Sequence, residues 1–71
     1  MIRYKLHYNG KEIIRKGLDA IDAIERLCDQ YGWNYRVSMV DCDRGKYSWA
    51  SCQVDTEGGI NWNMTIIGEV A

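Results

Sequence analysis

The pattern of apolar and polar residues at the start of the chain predicts an antiparallel hairpin. Apolar and polar residues alternate through "RYKLHYNGKEIIRK", and its central Asn9-Gly10 favours a type I′ turn. With these two residues as the loop, Tyr8 faces Lys11, and the hairpin has one apolar face and one basic face. The apolar, core-facing positions are Ile2, Tyr4, Leu6, Tyr8 and Ile13.

A helical period replaces the alternation in "GLDAIDAIERLCDQYGW". Asp19 is a suitable N-cap and Gly32 a suitable stop, so the stretch predicts one amphipathic helix of about three turns. The apolar, inward-facing positions of this helix are Ile21, Ile24, Leu27, Cys28 and Tyr31. The opposite face of the helix is acidic.

Alternation returns after the helix and predicts three strands, in "YRVSMVDC", "YSWASCQV" and "INWNMTII". The turns between them lie at Arg44-Gly45 and in "DTEGG". In the register that keeps the apolar positions on one face, Cys52 opposes both Val37 and Trp62. The predicted core positions of these strands are Val37, Met39, Ala50, Cys52, Trp62, Met64 and Ile66.

The order of elements is therefore β-β-α-β-β-β, in a single domain over residues 1–71. The economical arrangement is one antiparallel β-sheet of about five strands, packed on one face by the amphipathic helix. We accordingly predict the α+β class. An apolar content of 46% with 27% charged residues is typical of a folded protein.

The same sequence bears on where the protein works. No apolar run approaches the ~20 residues that a membrane-spanning helix needs. The first ten residues alternate and do not resemble a signal peptide. Three cysteines, an odd number, fit free thiols in a reducing compartment. We expect a cytoplasmic protein without membrane contact.

Candidate chemistry is concentrated in "VDCDRGKYSWASC", residues 40–52. In the predicted register, Cys42 and Cys52 lie on opposite faces of a hairpin, so they cannot share a metal or form an unstrained disulfide. Asp41 and Asp43 flank Cys42 and disfavour its thiolate. The one histidine, His7, faces Glu12 across the first hairpin, as a surface pair would. We predict a non-enzyme with no metal and no cofactor.

The face of the sheet opposite the helix carries an unexpected aromatic and aliphatic patch. The predicted register places Val40 opposite Trp49, Trp49 opposite Thr65, and Tyr47 opposite Ile67. Such a patch with a polar rim indicates an interface, of which a homodimer is the simplest form. The alternatives are cover by a loop or tail, or mutual cross-strand stabilisation. The patch comprises Val40, Cys42, Tyr47, Trp49, Thr65 and Ile67.

Charge is unevenly distributed, although the net charge is only −1. Residues 1–17 hold five basic residues and one acidic residue, while residues 18–71 hold four basic and nine acidic residues. Arg3, Lys5 and Lys16, with Trp49, are candidates for binding single-stranded nucleic acid; otherwise they protect a sheet edge from aggregation. An acidic surface suits a basic protein partner, or is simply solvated. That acidic set is Asp22, Glu25, Asp29, Asp41 and Asp43.

The small size, the β-β-α-β-β-β order and the "GLDAIDAIERLCDQYGW" helix resemble the accessory proteins of phages and mobile elements, including small anti-CRISPR proteins. This resemblance covers the layout across most of the chain and no specific motif. It implies a non-catalytic inhibitor that binds a host defence complex through surface charge and aromatic residues. Protein is thus the expected partner, with a nucleic-acid binding module or a homodimeric interaction domain as alternatives.

Overall fold

A helix packs on one face of an antiparallel sheet. The computed structural model describes residues 1–42 and 47–71. Within these residues the chain forms β1 (Ile2–Tyr8), β2 (Lys11–Gly17), α1 (Ala20–Tyr31), β3 (Asn34–Asp41), β4 (Trp49–Asp55) and β5 (Met64–Val70). The strand order in the sheet is β2-β1-β5-β4-β3. The predicted α+β class and the order β-β-α-β-β-β are confirmed.

The first hairpin forms as its sequence predicts. Asn9 and Gly10 adopt φ angles of 49° and 72°, and a type I′ turn requires positive φ at both positions. Tyr8 pairs with Lys11, and the predicted register continues along both strands. The alternation therefore divides β1 and β2 into the predicted core face and basic face.

The caps of α1 also lie where the sequence places them. Asp19 Oδ1 accepts a hydrogen bond from the Asp22 N–H at 2.7 Å, which satisfies one of the unpaired donors of the first turn. Gly32, at φ 71°, donates its N–H to the Asp29 carbonyl and ends the helix. Tyr31, predicted to point inward, is exposed. The buried helical residues are Ala20, Ala23, Ile24, Leu27 and Cys28.

The core lies between α1 and the sheet. Its strand residues include Tyr4, Leu6, Ala50, Cys52, Val54, Met64 and Ile66. Three predicted core positions are wrong: Trp62 is only half-buried, and Val37 and Met39 are 45% and 63% exposed. Val37 keeps its predicted partner Cys52. It is exposed because α1 packs less closely on β3 than on β4.

A β-bulge at Ser38 explains the exposure of Met39. Val37 pairs with Cys52, whereas Met39 pairs with Ser51 in place of the predicted Ala50. Ser38 is thus an extra residue in β3, and it reverses the facing of every position that follows it in the strand. Met39 consequently points away from the helix.

The register of β5 differs from the prediction by four residues. Cys52 pairs with Ile66 in place of the predicted Trp62, and Ala50 pairs with Gly68 in place of the predicted Met64. Because four is an even number, the side chains of β5 keep the predicted faces despite the wrong partners. The prediction of facing is confirmed, and the prediction of pairing is wrong.

A longer loop between β4 and β5 causes this offset. The Asn63 Oδ1 accepts a hydrogen bond from the Thr56 N–H at 3.1 Å, and the Asp55 Oδ1 accepts one from the Glu57 N–H at 2.9 Å. Trp62 adopts a φ of 42°, which interrupts the extended backbone. The strand therefore begins at Met64, and residues 56–63 form the loop.

Candidate protein-binding surface

The face of the sheet opposite α1, here called the outer face, carries apolar side chains at its β3 end. No helix or strand among residues 1–42 and 47–71 covers it. Ser51 pairs with Met39 on one side and with Ile67 on the other, and Trp49 lies two residues along β4. Residues that pair directly, or stand two apart in one strand, share a face. Met39, Trp49 and Ile67 therefore surround Ser51, and we call them the outer-face cluster.

The structure brings together only part of the predicted patch. Trp49 and Ile67 share the outer face, but Trp49 pairs with Asp41 and Glu69 and not with Val40 and Thr65. The predicted Trp49–Val40 and Trp49–Thr65 pairs are therefore wrong.

The remaining patch residues lie at different places. Because of the bulge, Val40 pairs with the buried Ala50 and belongs to the helix side of the sheet. Ile67 pairs with Ser51, so its predicted pairing with Tyr47 is wrong. Tyr47 and Cys42 are exposed just outside the strands. Met39 occupies the place on the outer face that the prediction gave to Val40.

Strand β3 forms one edge of the sheet and is exposed along most of its length. Among the described residues it has a neighbouring strand, β4, on one side only. Val37, Met39 and Val40 are 45%, 63% and 40% exposed, and the strand contains neither lysine nor proline. An exposed apolar edge is the arrangement that proteins usually protect, because its free N–H and C=O groups pair readily with another chain. We call residues 34–41 the β3 edge.

Arg36 is held in place on the outer face beside the cluster. Its Nε and Nη2 donate to the Gln53 Oε1 at 3.1 and 2.6 Å. The guanidinium also lies 4.6 Å from the ring centroid of Trp62, as a cation–π contact. A cation thus has a defined position on the rim of an apolar surface.

The basic residues predicted for nucleic-acid binding are partly neutralised. Lys5 Nζ lies 3.1 Å from a Glu12 carboxylate oxygen. Arg3 and Lys16 are exposed and pair directly across the two strands, and neither has an ion pair within the described part of the chain. The structure therefore leaves two adjacent cations rather than a basic stripe.

The predicted acidic set does not form one surface. Asp22, Glu25 and Asp29 lie on α1, whereas Asp41 lies on the outer face opposite Trp49. Asp43 lies outside the described residues.

Two of the helix acids make contacts within the chain. Asp22 Oδ2 accepts from the Leu18 N–H at 2.8 Å and from Arg26 Nε at 2.9 Å, and these bonds lower the Asp22 pKa. Glu25 accepts a hydrogen bond from Tyr35, whose pKa is raised to about 12 by burial and then by this carboxylate. These contacts give Asp22 and Glu25 a role in holding the helix in place.

Asp22→Asn tests this structural role. We expect the variant to lose about 1 kcal/mol of unfolding free energy at neutral pH, because the carboxylate stabilises the helix N-terminus and pairs with Arg26. The folded-state pKa of Asp22 is lowered, so its contribution is present above the unfolded pKa and is lost as the pH falls through the folded pKa. Urea unfolding at neutral and strongly acidic pH, with the exposed Asp29→Asn as control, measures it. An equal loss at both pH values would contradict the assignment.

An aromatic group at the helix C-terminus was missed by the sequence analysis. The rings of Tyr31 and Trp33 stack with centroids 4.7 Å apart and planes 20° apart. Tyr8 meets Trp33 edge-on, with centroids 6.3 Å apart. The stack follows from the left-handed Gly32 between the two aromatic residues, which turns the chain back on itself. The Tyr-Gly-Trp sequence after a predicted helix is the signal that could have found it.

The three cysteines are free thiols. Cys28 and Cys52 are buried, as predicted, and burial raises their pKa to about 12 and about 11. A nearby Cys52 also contributes to the shift at Cys28. Cys42 is exposed. Across the described residues, no group of three or more histidine, cysteine or acidic side chains is placed to hold a metal ion.

Comparison of the chain with protein-family models, with curated proteins and with solved structures found no match. In residues 1–42 and 47–71, no helix is both long enough and apolar enough to span a membrane. The geometry of the surface is therefore the basis for a functional assignment.

Proposed function

We propose that the chain is a small non-catalytic protein that acts by binding another protein through the outer-face cluster. The observation that carries this proposal is the exposure of Met39, at 63%, beside Trp49 and Ile67 on an uncovered sheet face. The apolar side chains of the opposite face already form the core with α1. Apolar groups that a fold exposes beyond its own core, with a polar rim, are typical of protein interfaces.

The surroundings of Trp49 favour a protein partner over nucleic acid. Trp49 pairs with Asp41 on one side and Glu69 on the other, so an acidic residue flanks the ring on each neighbouring strand. Nucleic-acid binding surfaces combine aromatic rings with cations that neutralise phosphates. Glu69 lies 3.1 Å from His7, and Asp41 also interacts within the chain. These acids supply no phosphate-binding cation beside the ring, whereas the polar rim of a protein partner suits this surface.

The resemblance of layout to phage and mobile-element accessory proteins directs the choice of partner. We propose that the partner belongs to a host defence complex and that binding inhibits it. In this proposal Trp49 is the central anchor, because large aromatic side chains contribute most of the binding free energy at interfaces. Arg36, held by Gln53 and Trp62, supplies a fixed donor at the rim.

Affinity capture from host lysate with matched variants tests this function. We expect the wild-type chain to retain a protein that Trp49→Ala and Met39→Asp retain about tenfold less well. Ile14→Ala, on the outer face of the distant strand β2, is the control and should behave as wild type. Circular dichroism establishes that each bait is folded. Capture that is equal for all four baits would contradict the proposal.

The adjacent cations Arg3 and Lys16 favour a second candidate, a single-stranded nucleic-acid binding module. Titration of labelled oligonucleotides at two salt concentrations separates the two functions. If the chain binds protein and not nucleic acid, we expect no saturable binding of the oligonucleotides up to high micromolar concentrations of the chain. Binding that weakens with salt and with Arg3→Ala would support the nucleic-acid candidate, because phosphate contacts release counterions.

A further inference from the structure

We infer that two copies of the chain pair through the β3 edge, antiparallel, with Val37 of one copy opposite Val40 of the other. The inference goes beyond the proposed function, because it concerns pairing along the backbone of β3, although Met39 and Arg36 of this strand also belong to the proposed protein-binding surface. A monomer would still present the outer-face cluster. The occupant of the β3 edge is thus a second copy of this chain, and the product is a continuous sheet across both copies.

The bulge at Ser38 makes β3 compatible with its own copy. Two antiparallel strands related by a two-fold axis pair only residues that share a face of the sheet. Val37 and Val40 stand three residues apart, an odd spacing that would put them on opposite faces of a regular strand. The extra residue Ser38 restores a common face, since Val37 pairs with Cys52 and Val40 with Ala50, both buried under α1.

The extra residue Ser38 also gives the two charged residues of the strand, Arg36 and Asp41, a common face. Arg36 pairs with Gln53 and Asp41 with Trp49, and both partners lie on the outer face. When Val37 meets Val40 of the second copy, Arg36 lies opposite Asp41 of that copy, and each of these two side chains also interacts within its own chain. The two-fold axis repeats each pair, so the register contains two valine pairs and two pairs of opposite charge. Directly opposite charges and β-branched residues are favourable cross-strand pairs.

The valines also give this pairing an apolar centre. Val37 and Val40 are 45% and 40% exposed in the single chain, although they lie on the helix side of the sheet. In the paired arrangement four valines, two from each copy, lie side by side at the junction. Their exposed surface is removed from water, which favours association.

The other edge of the sheet differs in character. Four of the seven residues of β2 are charged, whereas β3 has two charged residues in eight. Charged side chains are the usual protection of an edge strand against pairing. Because β3 carries fewer charged residues than β2, β3 is the edge at which we expect two copies to pair.

Sedimentation equilibrium from low micromolar to millimolar concentration tests the pairing. The expected mass rises from 8.2 kDa towards twice that value. Arg36→Asp and Asp41→Arg each place like charges opposite one another twice per dimer, so each should raise the dissociation constant about tenfold. The double variant restores opposite charges and should return to within about threefold of wild type. This rescue separates the pairing from any effect of one substitution on folding.

A matched pair of lysine substitutions provides the second arm. Val37→Lys should be monomeric throughout, whereas Ile14→Lys, at an equally exposed position on β2, should dimerise as wild type does. Three results would overturn the inference: a wild-type chain that stays monomeric at millimolar concentration, a double variant no tighter than the singles, or equal loss of dimer in both lysine variants. A monomer that still captures its partner would leave the proposed function intact.

Discussion

Gly17→Ala is expected to lower the free energy of unfolding by about 3 kcal/mol, towards the upper end of the usual cost of overpacking. A Cβ atom at Gly17 would lie 2.6 Å from the Ala23 backbone nitrogen and 2.9 Å from the Ala23 Cα. Both atoms belong to the first part of α1, so neither can move like the end of a flexible side chain. The helix must shift away from β2, and its buried face loses contact with the sheet.

Urea unfolding at 25 °C measures the loss for Gly17→Ala. A chain of 71 residues has a total stability of roughly 4–10 kcal/mol, so the loss is a large fraction of the whole. Gly59→Ala is the matched control, because its Cβ would meet only the Asp55 Oδ2, at 3.5 Å. We expect that control to lie within about 0.5 kcal/mol of wild type. Equal effects at the two glycines would show that chain entropy and not contact with α1 decides the result.

Ile24→Ala is the second substitution with a large expected effect. Ile24 is fully buried at the centre of the helix face. Removal of its outer carbons loses both the transfer free energy and the packing around the resulting cavity, about 3 kcal/mol in total. Thermal and urea unfolding provide the measurement.

The neighbouring Gly68 allows a sharper form of the same experiment. A Cβ at Gly68 would lie 3.3 Å from the Ile24 Cδ1 and 3.0 Å from the Leu6 Cδ2. Gly68→Ala is therefore expected to destabilise the wild-type chain and to cost about 1 kcal/mol less in the Ile24→Ala background, where it partly fills the cavity. Strictly additive free energies in the double-mutant cycle would contradict this direct packing.

The features that local sequence determines were predicted well. The Asn9-Gly10 turn and the caps at Asp19 and Gly32 depend on the conformations of a few consecutive residues. The alternation in the strands and the helical period then indicate which faces are buried, because apolar side chains are concentrated on the faces that pack against the core. Strand order was not predicted, since the insertion of β5 between β1 and β4 depends on contacts between distant segments.

Irregular backbone set the limit of the prediction for the candidate site. Because of the bulge at Ser38, Met39 lies on the outer face where Val40 was predicted. No residue type in β3 indicates where the bulge occurs. Likewise, the hydrogen bond that the Thr56 N–H donates to the Asn63 Oδ1 closes a loop where a shorter turn was expected. A prediction from alternation assumes that successive side chains of a strand point to opposite faces. A single extra residue therefore reverses the predicted face of every residue that follows it in the strand.

The position of β5 has a consequence for the kinetics of folding. The β1–β2 hairpin and the β3–β4 pair are not adjacent in the sheet, and β5 joins them by pairing with β1 and β4. Pairing of β1 with β5 closes a loop of more than fifty residues, from Leu6 to Gly68, and such distant pairing slows folding. Until β5 is in place, β1 and β4 each present an open side. We therefore expect the chain to be most exposed to misassembly with other chains before β1 and β5 pair.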